Sequence, residues 1–544
     1  MKNFYLIPVF WCLSALLLSQ DIQDDIPGDN PARKYEVQWT EGLPWANVKI
    51  MDPSDADPDN SFKKLQEELV SEGGGIIYFP PGQYHFRDHL LVESNIILRG
   101  AKPSRTDKFN PAVPEEKLMP IIDARDRRYE LTSQLRFPEY DGTNRESSFK
   151  GIRAKYPETA SNIAVVDLEI HNGHILIGTK EALVKKGTIS PASGNIMIYG
   201  NILKNTAVAD TIIPIPGQSE NQIWIDRELG AITVYAGENI LVAYNRIPRS
   251  GESNFIMKDF LLYPSMESWK EKSGMISTEV WFDYDNRSGI RVNFIPLVEG
   301  LRVWKDYALF EEACQNGGIE KLVTPGSMAK GIIIRDNYVF STGKGGIKST
   351  GWGSYIGYNI IRCYPDYPLP TYNGQYMNAF VNDTRAVEIR GWEWIIEGND
   401  FEVYSNYTPD GVKYNDGEGL MHESWENIGI RNSIMRNNTG NQYLCFWRVP
   451  VNGLLIEGNR IRTKLEWHAI FVNGQTRFSP DRLADLPVNN VVIKNNITEG
   501  GGIRLLGKGE GNRVEGNLHT LNKEASIIDR TGAEIKNNQG YTYE

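Results

Sequence analysis

Short stretches of alternating apolar and polar residues recur along the chain, each closing on the same small motif. They include NIMIYGNIL (195–203), NILVAYNRI (239–247), GIIIRDNYV (331–339), WIIEGNDF (394–401), GLLIEGNRI (453–461) and NVVIKNNIT (490–498). A period of two places alternate side chains on opposite faces, which predicts strands and excludes helices. The seventh slot carries Asn201, Asn245, Asn337, Asn399, Asn459, Asn496, Asn517 and Asn538, with Asn359 in a shorter copy. A copy read at 427–435 puts Ser433 in that slot. Asn337 and Asn359 are 22 residues apart, and Asn517 and Asn538 are 21 apart. Three short strands and their turns fill such a repeat, so the pattern predicts an all-β, right-handed parallel β-helix whose coils stack about 4.8 Å apart. Asparagine tolerates left-handed turns and its amides can stack, so the column is expected to be scaffold.

Other segments interrupt the repeat. Stretches near 101–158, 205–228, 252–328, 364–384 and 403–417 are expected as insertions, and a short capping helix is expected over 61–69. Near the start, GGGIIYFPPGQY (73–84) followed by SNIILRG (94–100) resembles the first coils of the pectate-lyase-like β-helix superfamily. That resemblance implies the same fold, with a reaction anywhere among polysaccharide lyases, glycoside hydrolases and non-enzymatic adhesins.

Residues 1–19 read as a signal peptide: Lys2, an apolar run from Phe4 to Leu18 that is too short to span a bilayer, then polar Ser19 and Gln20. Residues 20–544 are expected to form one β-helix domain of a secreted or periplasmic, monomeric protein without a membrane span. Cys314, Cys363 and Cys445 have no zinc-site spacing and cannot all pair. The net charge of −11 argues against a nucleic-acid partner, since that needs a basic face. An anionic glycan would have to be held by a local basic cluster.

The repeat also acts as a ruler. A second strand precedes the Asn strand by a nearly fixed distance, aligning Ile232, Ile347, Val387, Leu420 and Leu444 as inward positions. The next residue then points outward: Thr233, Lys348, Glu388, Met421 and Cys445. Two further on stand Tyr235, Thr350, Arg390, Glu423 and Trp447. Equal positions on adjacent coils are neighbours, so Lys348, Glu388, Arg390 and Glu423 are expected to cluster on an open outer face. Aromatic insertions with Tyr364, Tyr367, Tyr372, Tyr376, Tyr404, Tyr407 and Tyr414 would form the walls. His422 is nominally inward, at the edge of the groove. The expected catalytic set is Lys348, Arg390, His422, Glu423 and Tyr414; Tyr235, Glu388, Trp352, Trp447 and Arg448 are the expected substrate-binding set.

Basic and acidic groups in one cleft suit β-elimination on a uronic acid, which needs a cation for the carboxylate, a base for the adjacent proton and an acid for the leaving oxygen. GGIKST (345–350) resembles the basic strand of alginate- and chondroitin-type β-helical lyases. That resemblance implies a lyase, or a dehydratase acting on a terminal uronate, with algal uronans such as ulvan among the substrates. Calcium often assists in such lyases, and Glu388, Asp416, Glu418 and Glu423 could supply its oxygen ligands; no metal site is diagnostic by spacing. Paired carboxylates from the same four residues would instead suit a glycoside hydrolase. The polygalacturonase-type motifs are missing, because Asn382-Asp383-Thr384 has the wrong order and the only adjacent Asp pair is Asp24-Asp25. A non-catalytic glycan-binding β-helix is the third reading. His171 and His174 fall on opposite faces of a strand and are expected to be turn or surface histidines. Trp269, Trp281 and Trp304 are expected to pack the 252–328 insertion.

Overall fold

The structure is a computed structural model. It describes residues 28–101, 132–138, 150–179, 193–204, 230–250, 288–293, 329–341, 345–363, 385–403, 418–422, 429–441, 443–463, 468–479, 482–521 and 525–544, together with short strands at 213–214, 222–224, 281–283, 371–372 and 375–376. The signal peptide expected over 1–19, Tyr364, Tyr367, Tyr404, Tyr407, Tyr414, Asp416, Glu423, Trp269, Trp304 and Cys314 lie outside these residues. So do the side chains of Tyr372, Tyr376, Glu418 and His422.

The chain folds as a right-handed parallel β-helix. Each coil passes through three faces. The first face carries the Asn strands and runs from Val48–Ile50 to Glu534–Lys536; the second runs from Leu90–Val92 to Tyr541–Tyr543; the third runs from Gly82–His85 to Leu518–His519. The first two join where Lys330 pairs with Trp352, making one sheet of 27 strands among the described residues, and the third face is a sheet of 12. Inward positions fill one continuous core of Ile, Val, Leu and Phe from Met51 to Tyr541. A strand in such a solenoid buries one side against the other two faces, which is why period-two patterning survives through most of the chain. One α-helix, Pro58–Ser71, inserts Phe62 and Leu69 into the first coils. It is longer than the expected 61–69 because Pro58 opens it at a position where a missing N–H costs nothing.

The asparagine column is a hydrogen-bonded ladder. Each Nδ2 donates to the Oδ1 of the next rung at 2.8 to 3.0 Å, through Asn201, Asn245, Asn337, Asn359, Asn399, Asn438, Asn459, Asn496, Asn517 and Asn538. The rung assigned to Ser433 is in fact Asn438, because the true repeat there is SIMRNN (433–438). The rungs themselves are not left-handed. The residue before each one is: Tyr244, Asp336, Tyr358, Asn437 and Asn495, for example, all have φ between 54° and 62°. Replacing Asn399 with alanine removes the buried acceptor of the Asn359 N–H, 3.0 Å away, while the Asn359 Nδ2 keeps the Ile334 and Gly357 carbonyls at 3.0 and 3.1 Å. With about 1–3 kcal/mol for an orphaned buried group, the expected loss is about 1–3 kcal/mol, measured by denaturant unfolding.

Two stretches expected as insertions hold coil strands. Ser133–Arg136 and Gly151–Ala154 lie within 101–158, and Ser288–Val292 lies within 252–328. The outer side of a sheet is also not always open. Ala32 and Leu43, with Tyr35, Trp39 and Trp45, cover outward residues of the first face such as Ile97, Met197 and Leu241.

Candidate functional site

Strand register on the second face matches the alignment of Ile232, Ile347, Val387, Leu420 and Leu444, with Ile290 inserted between the first two. The outward column beside them runs Leu91, Arg153, Leu176, Thr233, Arg291, Lys348, Glu388, Met421, Cys445, Phe471, Arg504 and Ile528. Arg390 pairs with Thr350 in the next outward column.

Lys348, Glu388 and Arg390 do meet. Lys348 Nζ lies 3.1 Å from Glu388 Oε2, Arg385 Nη1 lies 3.0 Å from the same oxygen, and Arg390 Nη2 lies 3.5 Å from Oε1. Arg291, in register with Lys348, adds a further cation one coil away. The expectation of an open face fails here: Lys348 is 2% exposed, Glu388 0%, Arg385 3%, Arg390 5% and Arg291 2%. Alternation decides only that a side chain points away from the core, and says nothing of what lies over the sheet. The cluster is outward and covered.

Glycine makes room for it. A Cβ on Gly345 would stand 2.6 Å from Lys348 Cε, so the lysine stem lies back along its own strand over that position. In the same register slot one coil on, Arg385 takes the space and reaches the same carboxylate oxygen. Next to it, Gly346 faces the core, where a Cβ would meet Ile361 Cγ2 at 2.2 Å.

The other expected binding residues are spread out. Tyr235 is 4% exposed and precedes a turn, two coils before Lys348. Trp352 ends the Lys348 strand, edge-on to Trp392 at 5.7 Å, with Lys330 Nζ 5.1 Å from its ring centroid. That places it at the corner with the first face. Trp447 packs edge-on against Phe471 at 6.0 Å, and the Arg448 guanidinium lies 5.4 Å from the Trp447 ring. The His422 backbone pairs with Phe446, a core position.

Neither a protein-family model nor a curated protein matches the chain. Among solved structures it is similar to a tailspike protein mutant of E. coli bacteriophage HK620 in complex with a pentasaccharide, at 10% identity and a TM-score of 0.44, over 90% of this chain and 68% of that one. It is also similar to DFA-IIIase from Arthrobacter chlorophenolicus A6 without its lid, at 13% identity and 0.36, over 90% and 93%. A third is the A-module of a mannuronan C-5 epimerase from Azotobacter vinelandii, at 11% identity and 0.34, over 90% and 96%.

Two further polar clusters lie apart from the Lys348 group. His174 Nε2 accepts from Arg153 Nε at 3.3 Å, and His89 stands 6.5 Å away, ring to ring. His174 is therefore buried, not the surface residue expected, although it does lie on a different face from His171. On the third face, Glu169 Oε1 is bound by His171 at 2.7 Å and Lys204 at 3.1 Å, while Thr132 donates to Oε2. Burial pushes the Glu169 carboxyl up, but the His171 contact, Lys204 and Thr132 outweigh it and hold it at about 2. Among the described residues, no group of three or more His, Cys, Asp or Glu is placed to hold a metal ion, and no helix is long and apolar enough to cross a membrane. Cys363 and Cys445 are both buried.

Burial, then neighbouring arginine, lowers His89 and His468 to about 4 and His174 to about 3. These rings are neutral when folded, while the unfolded chain takes up protons below 6.5. Their stabilisation is complete above about pH 6.5 and is lost as pH falls toward the folded values. Thermal midpoints should fall from pH 7 to pH 5, above the range of ordinary carboxylates; a flat profile there would show that the rings are not held neutral.

Proposed function

We propose that this chain is a carbon–oxygen lyase that acts by β-elimination on uronic-acid-containing poly- or oligosaccharides. The observation that carries this reading is the covered Arg291, Lys348, Glu388, Arg385 and Arg390 cluster. Buried ion pairs give little net stability, since desolvation offsets attraction. Charges concentrated on one enclosed face are better accounted for by chemistry. The base removes the proton α to the uronate carboxylate, its electron pair becomes the new double bond, and the neighbouring carbon–oxygen bond breaks as the leaving oxygen gains a proton. The carboxylate takes up negative charge as the proton leaves. Arg390, Arg385 and Lys348 supply fixed cations for it, and a dry site strengthens them. Glu388 orients Lys348. Tyr414 and His422 are assigned as base and acid.

Glycoside hydrolysis through Glu388 is less well supported. A general acid must hold its proton near neutral pH, whereas three cations within 3.5 Å favour the ionised carboxylate. A non-catalytic glycan binder would not need charges enclosed in this way. The deciding experiment follows ultraviolet absorbance while purified protein acts on ulvan, alginate, polygalacturonate and chondroitin. A rise marks the conjugated double bond of an unsaturated uronate. New reducing ends without that rise would replace elimination by hydrolysis. A rise without chain shortening, the leaving group then being water, would identify a dehydratase.

A further inference from the structure

Three coils beyond Glu388, the same outward column turns aromatic. Phe471 packs against Trp447 at 6.0 Å and against the His468 ring at 5.1 Å, and the Arg504 guanidinium lies 5.7 Å from its centroid. Arg504 Nη1 contacts His468 Nε2 at 3.3 Å. Tyr443 and Cys445 are buried against Trp447 and Phe471. Trp447, Arg448, His468, Phe471 and Arg504 all keep partial access to solvent, unlike the Lys348 cluster. His468 is neutral at neutral pH because burial and Arg504 lower it to about 4, so the local charge comes from arginine. Among the described residues no carboxylate pairs with Arg504, and its Nε is buried without a hydrogen-bond partner.

We propose that Trp447, Phe471, His468 and Arg504, with Arg448 at the edge, form a distal subsite for a second acidic sugar of a long glycan. This rests on the proposed glycan reading, which it deepens by naming the length class of the substrate. The aromatic pair offers a face and an edge to a pyranose ring, and guanidinium is suited to a carboxylate or sulfate by paired N–H donors. Phe471 stands four coils from Lys348, about 19 Å at the parallel-strand spacing. A mono- or disaccharide does not span that gap; a polymer does. The inference therefore favours a polymer-acting lyase over a dehydratase of short fragments.

Affinity electrophoresis through gels containing ulvan, alginate, polygalacturonate or chondroitin tests it. Wild type, Trp447→Ala, Trp447→Phe, Arg504→Ala, Arg504→Gln and Lys348→Ala are compared, with circular dichroism melts to confirm folding. Wild type should be retarded by at least one acidic glycan. Trp447→Ala and both Arg504 variants should weaken that retardation about tenfold, one arginine–anion contact's worth, with Trp447→Phe intermediate. Where the glycan is also cleaved, the same variants should raise KM for polymer more than they lower kcat. No retardation of the wild type by any acidic glycan, or unchanged retardation in folded Trp447 and Arg504 variants, overturns the subsite. If retardation behaves as expected but no glycan gains ultraviolet absorbance, the subsite stands and β-elimination falls.

Discussion

Glu388→Ala is expected to lower folding stability by about 3–5 kcal/mol, the range for removing one partner from a buried ion pair. The carboxylate lies within 3.5 Å of Lys348, Arg385 and Arg390, so its loss leaves those cations enclosed together. Glu388→Gln keeps the shape and one hydrogen-bonding oxygen but not the charge, and should recover only part of the loss. Chemical denaturation of the two variants measures this. A Glu388→Ala protein within about 1 kcal/mol of wild type, the range of an exposed pair, would mean that the cluster is solvated and that its enclosure is not real.

The second expectation reverses the balance between stability and activity. Lys348→Ala and Arg390→Ala each remove one cation from a group that holds Arg291 and Arg385 as well, so like-charge repulsion falls as attraction to Glu388 is lost. Their cost in stability should be well below that of Glu388→Ala. Activity should suffer more, by about 100- to 1,000-fold in kcat, the usual effect of removing one preorganised charge from a developing anion. Rates of double-bond formation, on a glycan that wild type converts by the proposed elimination, provide the check. Two folded, fully active variants would place the chemistry elsewhere on the chain.

Much of this arrangement was legible because a β-helix repeats its geometry. Lys348 and Glu388 could be set side by side from Ile347 and Val387, each followed 12 residues later by its Asn rung. Arg291 was missed for the same reason. Its strand, SGIRV, is a copy of the GGIKS that holds Lys348, but the rung it leads to, Asn337, comes 47 residues after Ile290. Arg385 was missed because it precedes the inward pair Ala386 and Val387, where the strand turns and strict alternation breaks. The Ser433 assignment failed because NIGIR (427–431) imitates a strand start, whereas the ladder follows amide chemistry and selects Asn438. Enclosure could not be read at all. It depends on tertiary cover that a local pattern does not encode.

The Asn ladder also sets how the molecule can acquire new chemistry. Adjacent rungs meet through the same 2.8 to 3.0 Å bond whether 21 residues separate them, as from Asn517 to Asn538, or 92, as from Asn245 to Asn337. Closing a loop costs free energy that grows only as the logarithm of its length, so the longer connection is about 1.3 kcal/mol dearer than the shorter. That is no more than one net hydrogen bond contributes. A scaffold whose coils recognise each other by a fixed amide contact can thus accept large surface additions at almost any turn while its register stays unchanged. Substrate range in such a chain is free to drift by loop exchange, independently of the strands that carry Lys348 and Glu388.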